Sequence, residues 1–236
     1  MILEDYQYSD GDTVLRGYLG YDQAAKGPCP GVLVAPEAPG LGDHVKKRVA
    51  MFAEAGFVAL GADVYGEGRY FDDMEQMMPR VEATRSDIPA WRQRMKAGLD
   101  ALAVHERVDA GRLCAVGYCF GGTGVLELAR SGADLAAVVC FHGELHKTPH
   151  AASGIKARIL VFNGADDPFV PAQDRLAFEA EMTAAAVDWQ MVVYGGVKHG
   201  WTNPASDQAP VDGMAYDAVI DRRSWHAMLE WLRETL

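Results

Sequence analysis

Gly117-Tyr118-Cys119-Phe120-Gly121-Gly122 is the stretch on which the reading of this chain turns. It follows Arg112-Leu113-Cys114-Ala115-Val116, a short apolar run, and leads into residues of helical character. The sequence therefore predicts a strand that breaks into a tight turn and then a helix, with Cys119 at the tip. A residue at such a tip is held in a strained backbone conformation, so its side chain projects from the end of the strand. Glycine is required at 117 and 121 because a side chain at either would collide with the turn. The helix that follows aims its first N–H groups at the tip, where a thiolate and a developing oxyanion are both stabilised. A five-residue string of this kind can arise by chance, so its meaning rests on what lies downstream.

A thiol nucleophile needs a base to take its proton and a carboxylate to orient that base. After the apolar run Ile159-Leu160-Val161-Phe162 comes Asn163-Gly164-Ala165-Asp166-Asp167-Pro168-Phe169-Val170-Pro171. Its G-x-x-D-x-x-V-P frame places Asp167 on the loop after a late strand; Asp166 is the neighbouring alternative and fits that frame less well. After Met191-Val192-Val193-Tyr194 comes Gly195-Gly196-Val197-Lys198-His199-Gly200, which brings His199 to the same edge of the sheet. Cys119 precedes Asp167 by 48 residues and Asp167 precedes His199 by 32, room for one or two strand–helix units in each gap. Nucleophile, acid and histidine in that order are the α/β-hydrolase arrangement. Three unrelated loops in the right order are far more specific than any one of them.

The rest of the chain fits that frame. With 236 residues, 49% hydrophobic content and 25 glycines, it has the size and core of one compact α/β domain, and it has no repeat or long linker. Residues 1–8 and 13–20 read as an antiparallel hairpin turning at Ser9-Asp10-Gly11-Asp12. Strands are expected at 31–35, 57–60, 112–117, 135–141, 158–162 and 189–194. Helices are expected at 45–55, 88–106, 122–131, 172–186 and from Asp217 to the C-terminus. The segment from Tyr65 to Asp87, rich in Gly, Met, Asp and Arg, is expected to cap or line a site. Strand and helix alternate, so the sheet should be doubly wound and mostly parallel, with ligands at the carboxyl ends of its strands.

Composition narrows the partners. A formal net charge of −11 argues against nucleic acid or an anionic membrane surface. No apolar run approaches a membrane span, and Met1-Ile2-Leu3-Glu4-Asp5-Tyr6 does not have the form of a signal peptide. Four cysteines without a leader suggest free thiols in a reducing compartment, so a cytoplasmic monomer or weak homodimer is expected.

Each candidate also has an ordinary reading. Cysteine is commonly a small buried residue, and this reading is assigned to Cys114 and Cys140, and provisionally to Cys29. Asp167 alone could cap a helix after Pro171, and His199 alone could be a satisfied loop histidine. His142, His146 and His150 are spaced four apart, but Gly143 and Pro149 make a regular helix improbable and no carboxylate cluster completes a metal site, so a solvated loop is expected there. His142 is the exception, since it ends a strand near the site and could touch substrate. Tyr65, Tyr70, Trp91 and Trp201 are aromatic candidates for the pocket wall, with packing an equal alternative; Met77-Met78 is a candidate for adaptable lining.

Here the chain resembles the dienelactone hydrolase family, the carboxymethylenebutenolidase-like branch of the α/β-hydrolase superfamily. The resemblance runs from the hairpin to the terminal Asp221-Arg222-Arg223-Ser224-Trp225 segment. It is carried by the Cys119, Asp167 and His199 stretches quoted above, with Val34-Ala35-Pro36-Glu37-Ala38 and Phe141-His142-Gly143. It implies that Cys119 is the nucleophile, His199 the base and Asp167 its partner, with the Phe120 and Ala38 N–H groups as oxyanion hole. It further implies that Glu37 interacts with the resting thiol and modulates its ionisation. One departure matters: the family's substrate-holding arginine soon after the histidine is absent from His199-Gly200-Trp201-Thr202-Asn203-Pro204. A second family arginine falls at Arg80 or Arg85.

The resulting expectation is a cofactor-free hydrolase of a small ester or lactone, working through an acyl-thioester. Its rivals are an acyltransferase or thioesterase using the same residues, a non-catalytic ligand-binding homologue, and a redox sensor pairing Cys119 with Cys114.

Overall fold

The computed structural model describes residues 1–146 and 152–236. Strands β1 (Ile2–Asp10) and β2 (Thr13–Tyr21) form the expected hairpin, with Gly11 in the left-handed region at φ 56° where the chain reverses. Then follow β3 (Cys29–Ala35), α1 (Asp43–Glu54), β4 (Val58–Gly61), α2 (Met74–Ser86), α3 (Ile88–Ala103), β5 (Val108–Tyr118) and α4 (Phe120–Arg130). The chain closes with β6 (Ala137–Phe141), β7 (Arg158–Gly164), α5 (Ala172–Ala184), β8 (Trp189–Tyr194) and α6 (Ala218–Thr235). The eight strands make one sheet in the order β1-β2-β4-β3-β5-β6-β7-β8. β1, β2 and β4 pair antiparallel in turn, and every pairing from β4 through β3 to β8 is parallel. This is the α/β-hydrolase fold that the sequence predicts.

Both faces are covered because successive side chains alternate between them. Leu33, Ala35 and Ala115 face a cluster with Trp91, Met95 and Leu99 of α3, Val125 of α4 and Phe178 of α5. Val32, Val34, Cys114 and Val116 face Val45, Val49 and Phe52 of α1 and Trp225, Met228 and Leu232 of α6. Under the first layer, Glu127 of α4 is fully buried between Arg92 of α3 (2.6 Å) and Arg130 (2.9 Å), and Arg130 also holds Glu181 of α5 (2.8 Å). Isolated, a buried carboxylate would be strongly destabilising; paired from two sides it ties three helices together.

Topology locates the site. From β3 the chain goes to β4 on one side and then crosses to β5 on the other, so the loops leaving β3 and β5 diverge at the paired ends Ala35 and Gly117. Such a switch point leaves a crevice at the carboxyl edge. The segment 65–87 differs in detail from expectation, because most of its second half is the helix α2. Asp73 caps it, accepting from the Glu75 N–H at 2.8 Å, and Asp87 ends it while capping α3 through the Ala90 N–H at 3.0 Å. The helix 88–106 ends at Ala103 instead, and β5 begins at Val108, four residues earlier than expected.

Candidate active site

Cys119 sits between β5 and α4 with φ 54° and ψ −118°, a strained conformation for a residue with a side chain. The flanking glycines explain how the turn is so tight. A Cβ on Gly117 would lie 2.0 Å from the Gly121 carbonyl oxygen, and one on Gly121 would lie 2.4 Å from the Pro36 oxygen. The strain is held by main-chain and side-chain bonds: the Cys119 N–H is shared between the Phe141 carbonyl (2.9 Å) and His142 Nδ1 (3.1 Å).

His142 is therefore part of the support for the elbow, fully buried beneath it, not a residue of a solvated loop or of the cleft surface. Its Nδ1 accepts from Cys119, which leaves the proton on Nε2 to donate to Thr202 Oγ1 at 2.9 Å. Burial, with the nearby positive groups His199, His44 and Arg48, holds the imidazole well below the usual histidine range. His146 lies 3.5 Å from Glu144 and His150 falls outside the described residues. Among the described residues no group of three His, Cys, Asp or Glu side chains has the geometry to hold a metal.

Asp167 and His199 meet at this edge. His199 Nδ1 lies 2.7 Å from Asp167 Oδ2, and both side chains are almost wholly buried. Asp167 Oδ1 accepts from the Phe169 N–H at 2.8 Å, which fixes the carboxylate, whereas Asp166 is exposed. Burial opposes protonation of His199, but the Cys119 sulfur beside it and the Asp167 carboxylate prevail, and its pKa is raised to about 10. The imidazole is thus set to hold a proton next to sulfur. Phe169 and His142 both meet its ring edge-on, with centroids 4.9 Å away.

Phe120 opens α4 directly after Cys119, and Ala38 lies in the loop that follows β3, the strand paired with β5. Among the described residues no acceptor takes either N–H, so both remain available for an oxyanion. The loop carrying Ala38 is fixed by Tyr65, whose hydroxyl donates to the Ala38 carbonyl at 2.7 Å and whose ring stacks over Phe120 at 6.2 Å. Burial and the nearby Cys119 sulfur keep the Tyr65 phenol protonated.

Glu37 lies in the loop after β3, and its carboxylate is bound by Asn203 and His44. Asn203 Nδ2 donates to Oε2 at 2.6 Å, and His44 Nδ1 is 3.3 Å from the same oxygen. Arg48 Nε donates to His44 Nε2 at 3.2 Å, and the same nitrogen lies 3.1 Å from the Thr202 carbonyl oxygen. Burial alone would raise the Glu37 pKa; His44 and Asn203 outweigh it and keep the carboxylate ionised. No hydrogen bond joins Glu37 to the Cys119 sulfur among the described residues.

The remaining candidates divide. Trp91 is buried and stacked on Phe120 at 4.4 Å, and Trp201 is wholly buried against His142, so both are packing residues beneath the cleft. Tyr70 is 54% exposed at the rim. On α2 the stripe Met77, Val81, Arg85 faces inward at four-residue spacing, while Arg80 points to solvent. Arg85 lies over the Phe120 ring at 5.8 Å and donates through Nη2 to Glu144 at 2.6 Å. Cys114 and Cys140 are fully buried, with burial pushing the Cys140 thiol up to about 12; Cys29 is half-buried at the far end of β3, not in the core. His44, Glu144 and Phe169 were not apparent in the sequence, for each acquires its role through a residue of another loop or element. A groove of about 1090 Å³ between β1 and α3 involves none of these residues.

Comparison with known proteins agrees with this fold. The model of the dienelactone hydrolase family matches residues 15–236. A solved structure designated m3DLH is 44% identical, covers 100% of this chain and 98% of its own, and superposes with a TM-score of 0.96. The structure of a dienelactone hydrolase-like promiscuous phosphotriesterase from metagenomic libraries is 40% identical, with coverage of 99% and 98% and a TM-score of 0.96. A Bradyrhizobium relative, the probable 2-oxo-3-(5-oxofuran-2-ylidene)propanoate lactonase, is 27% identical across 88% of this chain and 84% of its own.

Proposed function

The chain belongs to the dienelactone hydrolase family, and from that premise we propose that it hydrolyses a small ester or lactone with Cys119 as nucleophile. The observation that carries the proposal is the 2.7 Å contact between Asp167 and an imidazole whose protonated form is favoured by the Cys119 sulfur. His199 Nε2 takes the thiol proton before attack, giving the imidazolium that its raised pKa favours and Asp167 stabilises, and the sulfur then attacks the carbonyl carbon. The oxyanion that forms is met by the Phe120 and Ala38 N–H groups. His199 then returns the proton to the departing alkoxide, leaving an acyl-thioester on Cys119. Water loses a proton to His199 and adds to the thioester carbonyl. Collapse releases the carboxylic acid and leaves the thiolate beside protonated His199, which restores the starting pair.

The exposure of Phe169 and Tyr70 and the half-buried Tyr65 and Met77 give this reading an apolar mouth suited to a small acyl or aryl group. No organic cofactor or metal takes part in these steps, and the substrate is a free small molecule. Purified protein should release p-nitrophenol from short acyl esters, and Cys119→Ala should lower kcat by at least about 1000-fold. Undiminished turnover by that variant would sink the assignment.

A further inference from the structure

The cation that sequence comparison offers for a substrate carboxylate already has a partner. Arg85 lies beside the cleft, over the ring of Phe120 and close enough to Tyr65 to be felt electrostatically at its hydroxyl. Its Nη2 donates to Glu144 Oε1 at 2.6 Å, a short charge-assisted bond. Glu144 is itself anchored to the nucleophile's helix, because Thr123 Oγ1 donates to its carbonyl at 3.2 Å. Gly122 and Gly143 pack with no room for a Cβ: one built on Gly143 would lie 2.7 Å from the Gly122 carbonyl carbon. The main chain of Glu144 is therefore fixed against the first turn of α4, the turn that presents Phe120, and its carboxylate is held by Arg85.

The segment from which the family's other arginine is absent contains Asn203, whose amide donates to Glu37. Glu37 is in turn matched by His44. An incoming carboxylate thus meets an Arg85 already paired with Glu144, which also has His146 3.5 Å away, and a second bound carboxylate at Glu37. A carboxylate there gains no free counter-charge and gives up part of its hydration, which disfavours it.

Resting on the hydrolase reading above, we propose that Glu144 is a specificity-determining residue that neutralises Arg85, so that this enzyme selects esters and lactones with uncharged acyl groups over carboxylated ones. Arg85 remains latent as an anion site: its Nε–H is buried and has no acceptor among the described residues. Removing the Glu144 charge should uncover it.

The test uses two esters of equal acyl length, p-nitrophenyl butyrate and the mono-p-nitrophenyl ester of succinic acid, and reads the ratio of their kcat/KM values. The wild-type protein should favour butyrate by about tenfold or more, and Glu144→Gln should move the ratio toward succinate by about tenfold. Adding Arg85→Gln to Glu144→Gln should reverse that movement. A wild-type preference for succinate would overturn the proposal even if no variant folds. So would an unchanged ratio in a folded Glu144→Gln protein, or a gain that survives loss of the arginine. Absence of turnover on both esters by the wild-type protein would instead count against the hydrolase reading.

Discussion

Substituting Gly121 by alanine tests whether the tight elbow sets the position of the oxyanion donors. The added Cβ would lie 2.4 Å from the Pro36 oxygen and 2.5 Å from the Ala35 carbonyl carbon and oxygen. Ordinary contact begins near 3.4 Å, so about 1 Å of separation must be found. Both obstacles are main chain of β3 and its loop, which cannot rotate aside as a side chain could. The helix start must slide away from β3, and it carries the Phe120 N–H with it while the Ala38 loop stays behind. Overpacking of this kind costs about 1–3 kcal/mol, and contact with rigid backbone belongs at the upper end. A displacement of about 1 Å in a reacting constellation lowers rate by about 100-fold, equivalent to about 2.7 kcal/mol of barrier.

The assay pairs urea unfolding, followed by circular dichroism, with kcat for p-nitrophenyl butyrate under conditions where the variant is folded. Gly195→Ala is the matched control, since nothing lies within 4 Å of its added Cβ and its φ is outside the left-handed region. It should be neutral, or more stable by up to about 1 kcal/mol through a less flexible unfolded chain. Gly121→Ala with wild-type stability and kcat would refute the reasoning. Equal damage from Gly195→Ala would show that loss of any glycine near the site is enough, and would remove the argument from close contact.

Two further outcomes follow from the buried polar groups. Asp167→Asn keeps an oxygen for the Phe169 N–H but removes the charge facing His199, so kcat should fall by about 10 000-fold with the fold intact, and a loss under tenfold would contradict the orienting role. His142 is held neutral in the native protein, while the unfolded chain takes up its proton as pH falls below about 6.5. Native stability should therefore be lost on acidification, with this histidine contributing at most about 1.4 kcal/mol per pH unit. His142→Asn should flatten the decline of the urea midpoint between pH 6.5 and 5.5, and an unchanged slope would show that other groups cause it.

Much of this architecture is legible because its signals are local. Apolar runs such as Gly31–Ala35 and Ile159–Phe162, broken by glycine and proline, mark strands whose interior residues are buried. The spacing of Gly117 and Gly121 around Cys119 reflects contacts within one turn, so sequence alone carries it. The helix α2 was hidden for an equally local reason: Pro79 lies inside it, and Val81 is its one fully buried side chain. Its cap at Asp73 was the available sign. Trp91 was also decidable, since Trp91, Met95, Leu99 and Leu102 recur along one face of α3 and are all buried. Trp201 was not, because nothing periodic surrounds a loop residue.

The unread part of the site consists of pairings across long separations. Glu37 meets Asn203 across 166 residues and Arg85 meets Glu144 across 59, and neither distance leaves a trace in spacing. Yet these pairings decide what the cleft can hold. Its Asp167 is engaged with His199, its Glu37 with His44 and Asn203, and its Glu144 with Arg85, so each of these carboxylates already has its counter-group before substrate arrives. A substrate bringing a further negative charge would find these counter-groups already paired, in a protein whose net charge of −11 repels it at long range. A neutral acyl group disturbs none of them. On the proposed reading, the elbow and the histidine set what bond can be attacked, and the pairing of the surrounding charges selects the molecules that reach it.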